Sequence, residues 1–148
     1  MPFPSPPVAY VLGAGSILIG LHCFLRPREE YGRFGLPLEP APRHQKDGTT
    51  PTDTAGRASP LMHLKGIREI TYGLALGTLQ YLGQEDALTA MVGIVSLAGL
   101  GDGIIVWLNS GPELRHKAFG HWGAFVALAG WSWWRATSQM VSAADTHG

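Results

Sequence analysis

Residues 8–25 read VAYVLGAGSILIGLHCFL, eighteen residues with no formal charge apart from a proton that His22 can carry. As an α-helix rising about 1.5 Å per residue, the run is about 27 Å long, close to the thickness of a bilayer's hydrocarbon. Three more such runs follow. Leu61 to Leu82 is charged only near its start, Ala87 to Leu108 holds a single charge at Asp102, and Lys117 to Trp134 closes on GWSWW, the aromatic belt expected where a span meets the interface. Four spans leave little else to fold in 148 residues. The expected fold is an all-α membrane protein, a single antiparallel four-helix transmembrane bundle with spans near 8–26, 61–82, 87–108 and 116–135.

The mean hydropathy is close to neutral only because apolar and polar residues are segregated along the chain. The first run has no basic stretch before it and no clear small-x-small cleavage site. RPREE follows at once, as in a stop-transfer flank, so a retained span is expected in place of a secretory signal. The connector 27–60 is rich in Pro, Gly, Thr and charge and is expected to be partly disordered over 38–60, while YGRFGLP at its start is aromatic enough to lie on the membrane surface or cap the bundle. GQED and NSGPELRH are short, which implies antiparallel neighbours.

Ten of the eleven basic residues fall at one end of such a bundle, and only Arg135 lies opposite. The positive-inside rule makes that basic end cytoplasmic and both termini lumenal, in the endoplasmic reticulum or another endomembrane. Formal charge is zero, with no basic patch of the kind that binds nucleic acid. Cys23 is the only cysteine, so no internal disulfide can form. Small residues at four-residue spacing, namely Ser16 with Gly20, Gly73 with Gly77, Gly99 with Gly103 and Gly120 with Ala124, allow close helix approach within a protomer or in a homo-oligomer.

HLKGIREITYGLALG, residues 63–77, puts Lys65, Arg68 and Glu69 at the mouth of an apolar run. With antiparallel spans they share a depth with Asp102, with His22 near the end of the first span, and with His116 and His121 at the start of the fourth. Lys65, Glu69 and Tyr72 lie on one helical stripe, and Arg68 lies beside it. A short carboxylate facing lipid costs about 2 kcal/mol or more, so Glu69 and Asp102 should turn inward toward Arg68, Lys65, His116 or His121. Lys65, Arg115 and Lys117 read equally as interfacial anchors, and Arg68 with Glu69 as an ion pair locking helices together. There is no HExxH, no Glu-x-x-His and no Cys/His spacing of the zinc kind, and GAGSILIG lacks the spacing of a dinucleotide loop, so neither a metal nor a cofactor is expected.

The succession GLHCFLRPREEYGRFGLP, KGIREITYGL, GLGDGIIVWL and HKAFGHWGA resembles the uncharacterised family of small fungal integral membrane proteins with four predicted spans, catalogued as a domain of unknown function. The resemblance runs from about Val8 to Trp134 and rests on Pro27, Phe34, Gly35, Lys65, Gly66, Arg68, Glu69, Gly73, Gly101, Asp102 and His121. Members often carry Asp where this chain has Glu69. Some are encoded near natural-product pathways, which implies the tailoring of a lipophilic metabolite. The reading that joins these features is a cofactor-free isomerase, cyclase or pericyclase-like catalyst for a lipophilic polyketide or terpenoid intermediate, with membrane lipid around it. In it Asp102 and His121 form the acid/base pair, Glu69 orients them or replaces the base, and Arg68 stabilises an anion, while Lys65, Tyr72, His22, His116 and Phe34 line the substrate. The alternative is a non-enzymatic scaffold or a small oligomeric transporter subunit.

Overall fold

A computed structural model describes residues 8–40 and 56–145, so the middle of the connector expected to be partly disordered lies outside the described residues. The described backbone is helical, with no strand beyond an isolated bridge in which Glu39 and Arg57 exchange N–H···O bonds of 3.0 and 2.8 Å. Four long helices carry the fold: α1 Val8–Leu25, α3 Leu61–Tyr81, α4 Glu85–Asn109 and α6 Ala118–Asp145. Between α1 and α3 lies a short helix that the sequence reading had not separated, α2 Pro27–Phe34. A single turn, α5 Gly111–Leu114, and a 3-10 turn at Arg115–Lys117 lead into α6.

Local chemistry explains the breaks. Arg26 precedes a proline, which disfavours helical backbone there, and it takes φ −139 and ψ 58. Pro27 then starts α2, Glu29 and Glu30 occupy its positive first turn, and Gly35 ends it at φ 105 with its N–H on the Tyr31 carbonyl. The fourth helix was expected over 116–135. It starts two residues later and runs ten residues further, because no proline or glycine lies between Arg135 and Asp145. At 28 residues it is about 42 Å long, more than a bilayer's hydrocarbon.

α1 lies antiparallel along α3 and α4 lies antiparallel along α6, while α3 and α4 meet more sparingly. Glycine sets the first pairing. A Cβ at Gly20 would stand 2.6 Å from the Gly66 carbonyl oxygen, and one at Gly13 2.8 Å from that of Gly73. The seven-residue spacing of Gly13 with Gly20 and of Gly66 with Gly73 therefore brings the backbones together. Of the four-residue pairs, Gly99 and Gly103 do pack, against the His121 backbone and the Trp122 ring. Gly77 and Gly120 have open space where a side chain would be.

Ala9, Leu76, Leu88 and Val92 form a core at one end. At the other, α2 lies across the bundle, with Tyr31 packed on Cys23 and Met62, and Phe34 packed on Val106 and Ala118. Each long helix also turns large apolar side chains outward, among them Leu18, Leu64, Ile94 and Val126. By length and hydropathy α1 and α4 are able to cross a membrane. α3 carries Lys65, Arg68 and Glu69 within its first nine residues, which lowers its hydropathy.

Candidate functional site

The charged residues gather in two layers beneath α2. In the outer layer Glu30, whose side chain is 5% exposed, is the shared acceptor: His22 Nδ1 lies 2.8 Å away, Lys65 Nζ 3.4 Å and Arg33 Nη1 3.6 Å. A carboxylate accepts, so Nδ1 carries the His22 proton. Lys65 also stands 5.3 Å from the Phe34 ring centroid and 3.8 Å from Cys23 Sγ. Two donors, one from the first turn of α6 and one from the 3-10 turn before it, hold the C-terminal carbonyls of α2: His121 Nε2–H donates to Phe34 O over 2.9 Å, and Lys117 Nζ donates to Gly32 O. Cationic and N–H donors suit the negative end of a helix.

In the inner layer, Arg68 Nη2 donates to Asp102 Oδ2 at 2.7 Å and reaches Glu69 Oε1 at 3.5 Å. Ser16 Oγ, from α1, lies 2.8 Å from Glu69 Oε2 and 2.9 Å from the Glu69 backbone carbonyl. Three helices are thus tied through adjacent residues of α3, Glu69 to α1 and Arg68 to α4. Asp102 is buried, and Glu69 is only 17% exposed at its side chain.

Two clefts adjoin this layer, and Asp102 lines both. A mouth cleft of about 510 Å³ opens under α2 between Tyr31, Phe34, Lys65, Arg68 and Ile105. An inner cleft of about 330 Å³ lies between α1, α3, α4 and α6, with apolar walls such as Leu12, Leu76 and Val92 and three chemically active side chains, Glu69, Tyr72 and Asp102. The Tyr72 hydroxyl has no hydrogen-bond partner among the described residues. The inner volume falls within the range of small-molecule sites. Among the described residues no three His, Cys, Asp or Glu side chains converge as a metal ion would require.

Most of the expected site residues meet in these two layers, but the expected pair does not form. Asp102 and His121 were to act together across the short α4–α6 connection. Asp102 instead bonds Arg68 of α3, and His121, which lines neither cleft, turns to the Phe34 carbonyl. The cause is α2, which supplies the acceptor for His121 and leaves the guanidinium as the donor for Asp102. Arg68, expected to stabilise an anion, already serves two carboxylates. His116 sits exposed on the 3-10 turn, away from both layers. Glu30 and Ser16 escaped the sequence reading. Pro27, the acidic pair and Gly35 mark a short helix whose Glu30, Tyr31 and Phe34 share one face, and that signal was present in the sequence.

No curated protein and no solved structure matches the chain. Residues 13–135, from the first glycine of the α1–α3 contact to the arginine that bonds Glu85, match the family described as a domain of unknown function (DUF4267), and the chain belongs to that family.

Proposed function

We propose that the protein is a membrane enzyme of four antiparallel spans that takes a lipophilic small molecule, of polyketide or terpenoid type, into the inner cleft and isomerises or cyclises it by proton transfer without a cofactor. The observation that carries this reading is a cleft bordered by four helices of one protomer, apolar except for Ser16, Glu69, Tyr72 and Asp102. An isomerisation or ring closure conserves composition, so a group that takes a proton from one carbon and returns it to another is sufficient chemistry. Glu69 fits that task, held at one oxygen by Ser16 and flanked by the Tyr72 hydroxyl. Arg68 and Asp102 position Glu69, and His121 holds α2 over the mouth.

Embedding of α3 and α6 as well is supported by what they turn outward, Leu64, Ile67 and Leu74 on one and Phe119 and Val126 on the other, while Lys65, Arg68 and Glu69 are engaged inside. The basic α2 end then faces the cytoplasm of an endomembrane, and both termini are lumenal. A second reading, an oligomeric scaffold or transporter subunit, draws on one feature: Gly120, Gly123, Ala127 and Gly130 leave a small-residue face of α6 uncovered.

Reconstituted vesicles supplied with lipid extract from host cells lacking the chain test the enzymatic reading. Liquid chromatography with mass spectrometry should show one species converted to another of identical mass, and Glu69→Gln, matched for folded protein, should slow conversion by about 100-fold or more. Absence of any such conversion, or full conversion by Glu69→Gln, would move the scaffold reading to first place.

A further inference from the structure

Charge around the inner cleft does not balance. Glu69 and Asp102 both line it, and Arg68 is the cation bonded to either of them. Lys65, one turn before Glu69 on α3, is engaged by Glu30 in the outer layer. Ser16 and Tyr72, the other polar groups on the cleft wall, are neutral. Two carboxylates therefore share one guanidinium in a space whose remaining walls are apolar, where an uncompensated negative charge is costly. An occupant bearing a carboxylate would add a third negative charge to the two already on the cleft wall.

We propose that the inner cleft selects a lipophile that is positively charged when bound, such as a protonated tertiary amine on a hydrocarbon frame. The inference rests on the proposed function for its cleft and adds the charge of the ligand. The cationic centre sits on the cleft side of the Glu69 and Asp102 carboxylates, with the Tyr72 ring as a further favourable surface, and the hydrocarbon lies along Leu12, Leu76 and Val92.

Three probes of one chain length separate the outcomes: N,N-dimethyldodecylamine, 1-dodecanol and dodecanoate, each titrated calorimetrically into the protein in phosphatidylcholine nanodiscs, with empty nanodiscs subtracted. The amine should bind at least about tenfold more tightly than the alcohol, a difference near 1.4 kcal/mol, and dodecanoate most weakly. Glu69→Gln should bring amine and alcohol to within about twofold of each other. Gly15→Leu supplies the control for place: Gly15 lines the cleft and has open space where its side chain would be, so leucine there fills the site and should remove binding of amine and alcohol alike. Equal affinity for amine and alcohol, both lost in Gly15→Leu, would overturn the charge inference while leaving the cleft as a lipophile site. Tighter binding of dodecanoate would overturn it in the opposite sense. Binding of no probe, or binding indifferent to Gly15→Leu, would remove the cleft reading itself and this inference with it.

Discussion

Arg68→Leu should destabilise the detergent-solubilised protein by about 3 kcal/mol, the lower end of the range for removing one partner of a buried ion pair, because the guanidinium is itself 33% exposed. The loss arises from what remains. Asp102 and Glu69 would face an apolar interior with no cation bonded to them, and Ser16 can satisfy only Glu69. Removing an acid is milder: Glu69→Gln keeps an acceptor for Ser16 and lowers the excess of negative charge, at a cost of about 1 kcal/mol or less. Arg68→Leu combined with Asp102→Leu should recover part of the loss, since an apolar pair replaces a stranded charge. Thermal unfolding followed by intrinsic tryptophan fluorescence reads all of these variants. A melting temperature for Arg68→Leu within a degree of the parent's would mean that the bridge contributes nothing and that Asp102 finds another donor.

The largest effect is expected at the glycines of the α1–α3 contact. A Cβ at Gly20 meets the Gly66 carbonyl oxygen at 2.6 Å and the Ile70 backbone nitrogen at 3.0 Å, and a backbone cannot rotate out of the way as a side chain can. Gly20→Val should therefore separate the helices at a cost above about 3 kcal/mol, beyond ordinary overpacking, and give little monodisperse protein on size-exclusion chromatography. Gly77→Ala is the control. Its Cβ would meet nothing within 4 Å, so it should be neutral or gain up to about 1 kcal/mol from helix propensity. Similar behaviour of the two variants would contradict the glycine contact.

The long helices were legible because apolar runs of 18 residues or more have few ways to fold, and three of the four both begin and end within two residues of the expected boundaries. The fourth was cut short at Arg135, just past the GWSWW belt read as the interface, although the arginine lies along α6 with its Nε 3.1 Å from Thr89 Oγ1 and bonds Glu85. Within the site, the depth of Lys65, Arg68, Glu69 and Asp102 followed from counting residues along antiparallel helices. Arg68 was among the partners expected for Glu69 and Asp102 and bonds both, but the choice among Arg68, Lys65, His116 and His121 did not follow, because it depends on rotation about each helix axis and on neighbours distant in sequence. Ser16 illustrates this: the small-residue pattern marked it as a packing position, yet its hydroxyl spans 53 residues to reach Glu69. α2 illustrates the other cause. Its eight residues are too few and too charged to register as an apolar run, and the polar groups of His121 and Lys117 are satisfied on it.

The central claim, that the inner cleft holds a lipophilic molecule against Glu69, is tested most directly by a structure of the protein purified in lipid nanodiscs from its own membrane. The account predicts elongated density between α1, α3, α4 and α6, in contact with Glu69 and Tyr72 and continuous toward Leu76, with Arg68 still bonded to Asp102. A cleft closed by its own side chains, or filled only by ordered water bridging Glu69 and Tyr72, would contradict it.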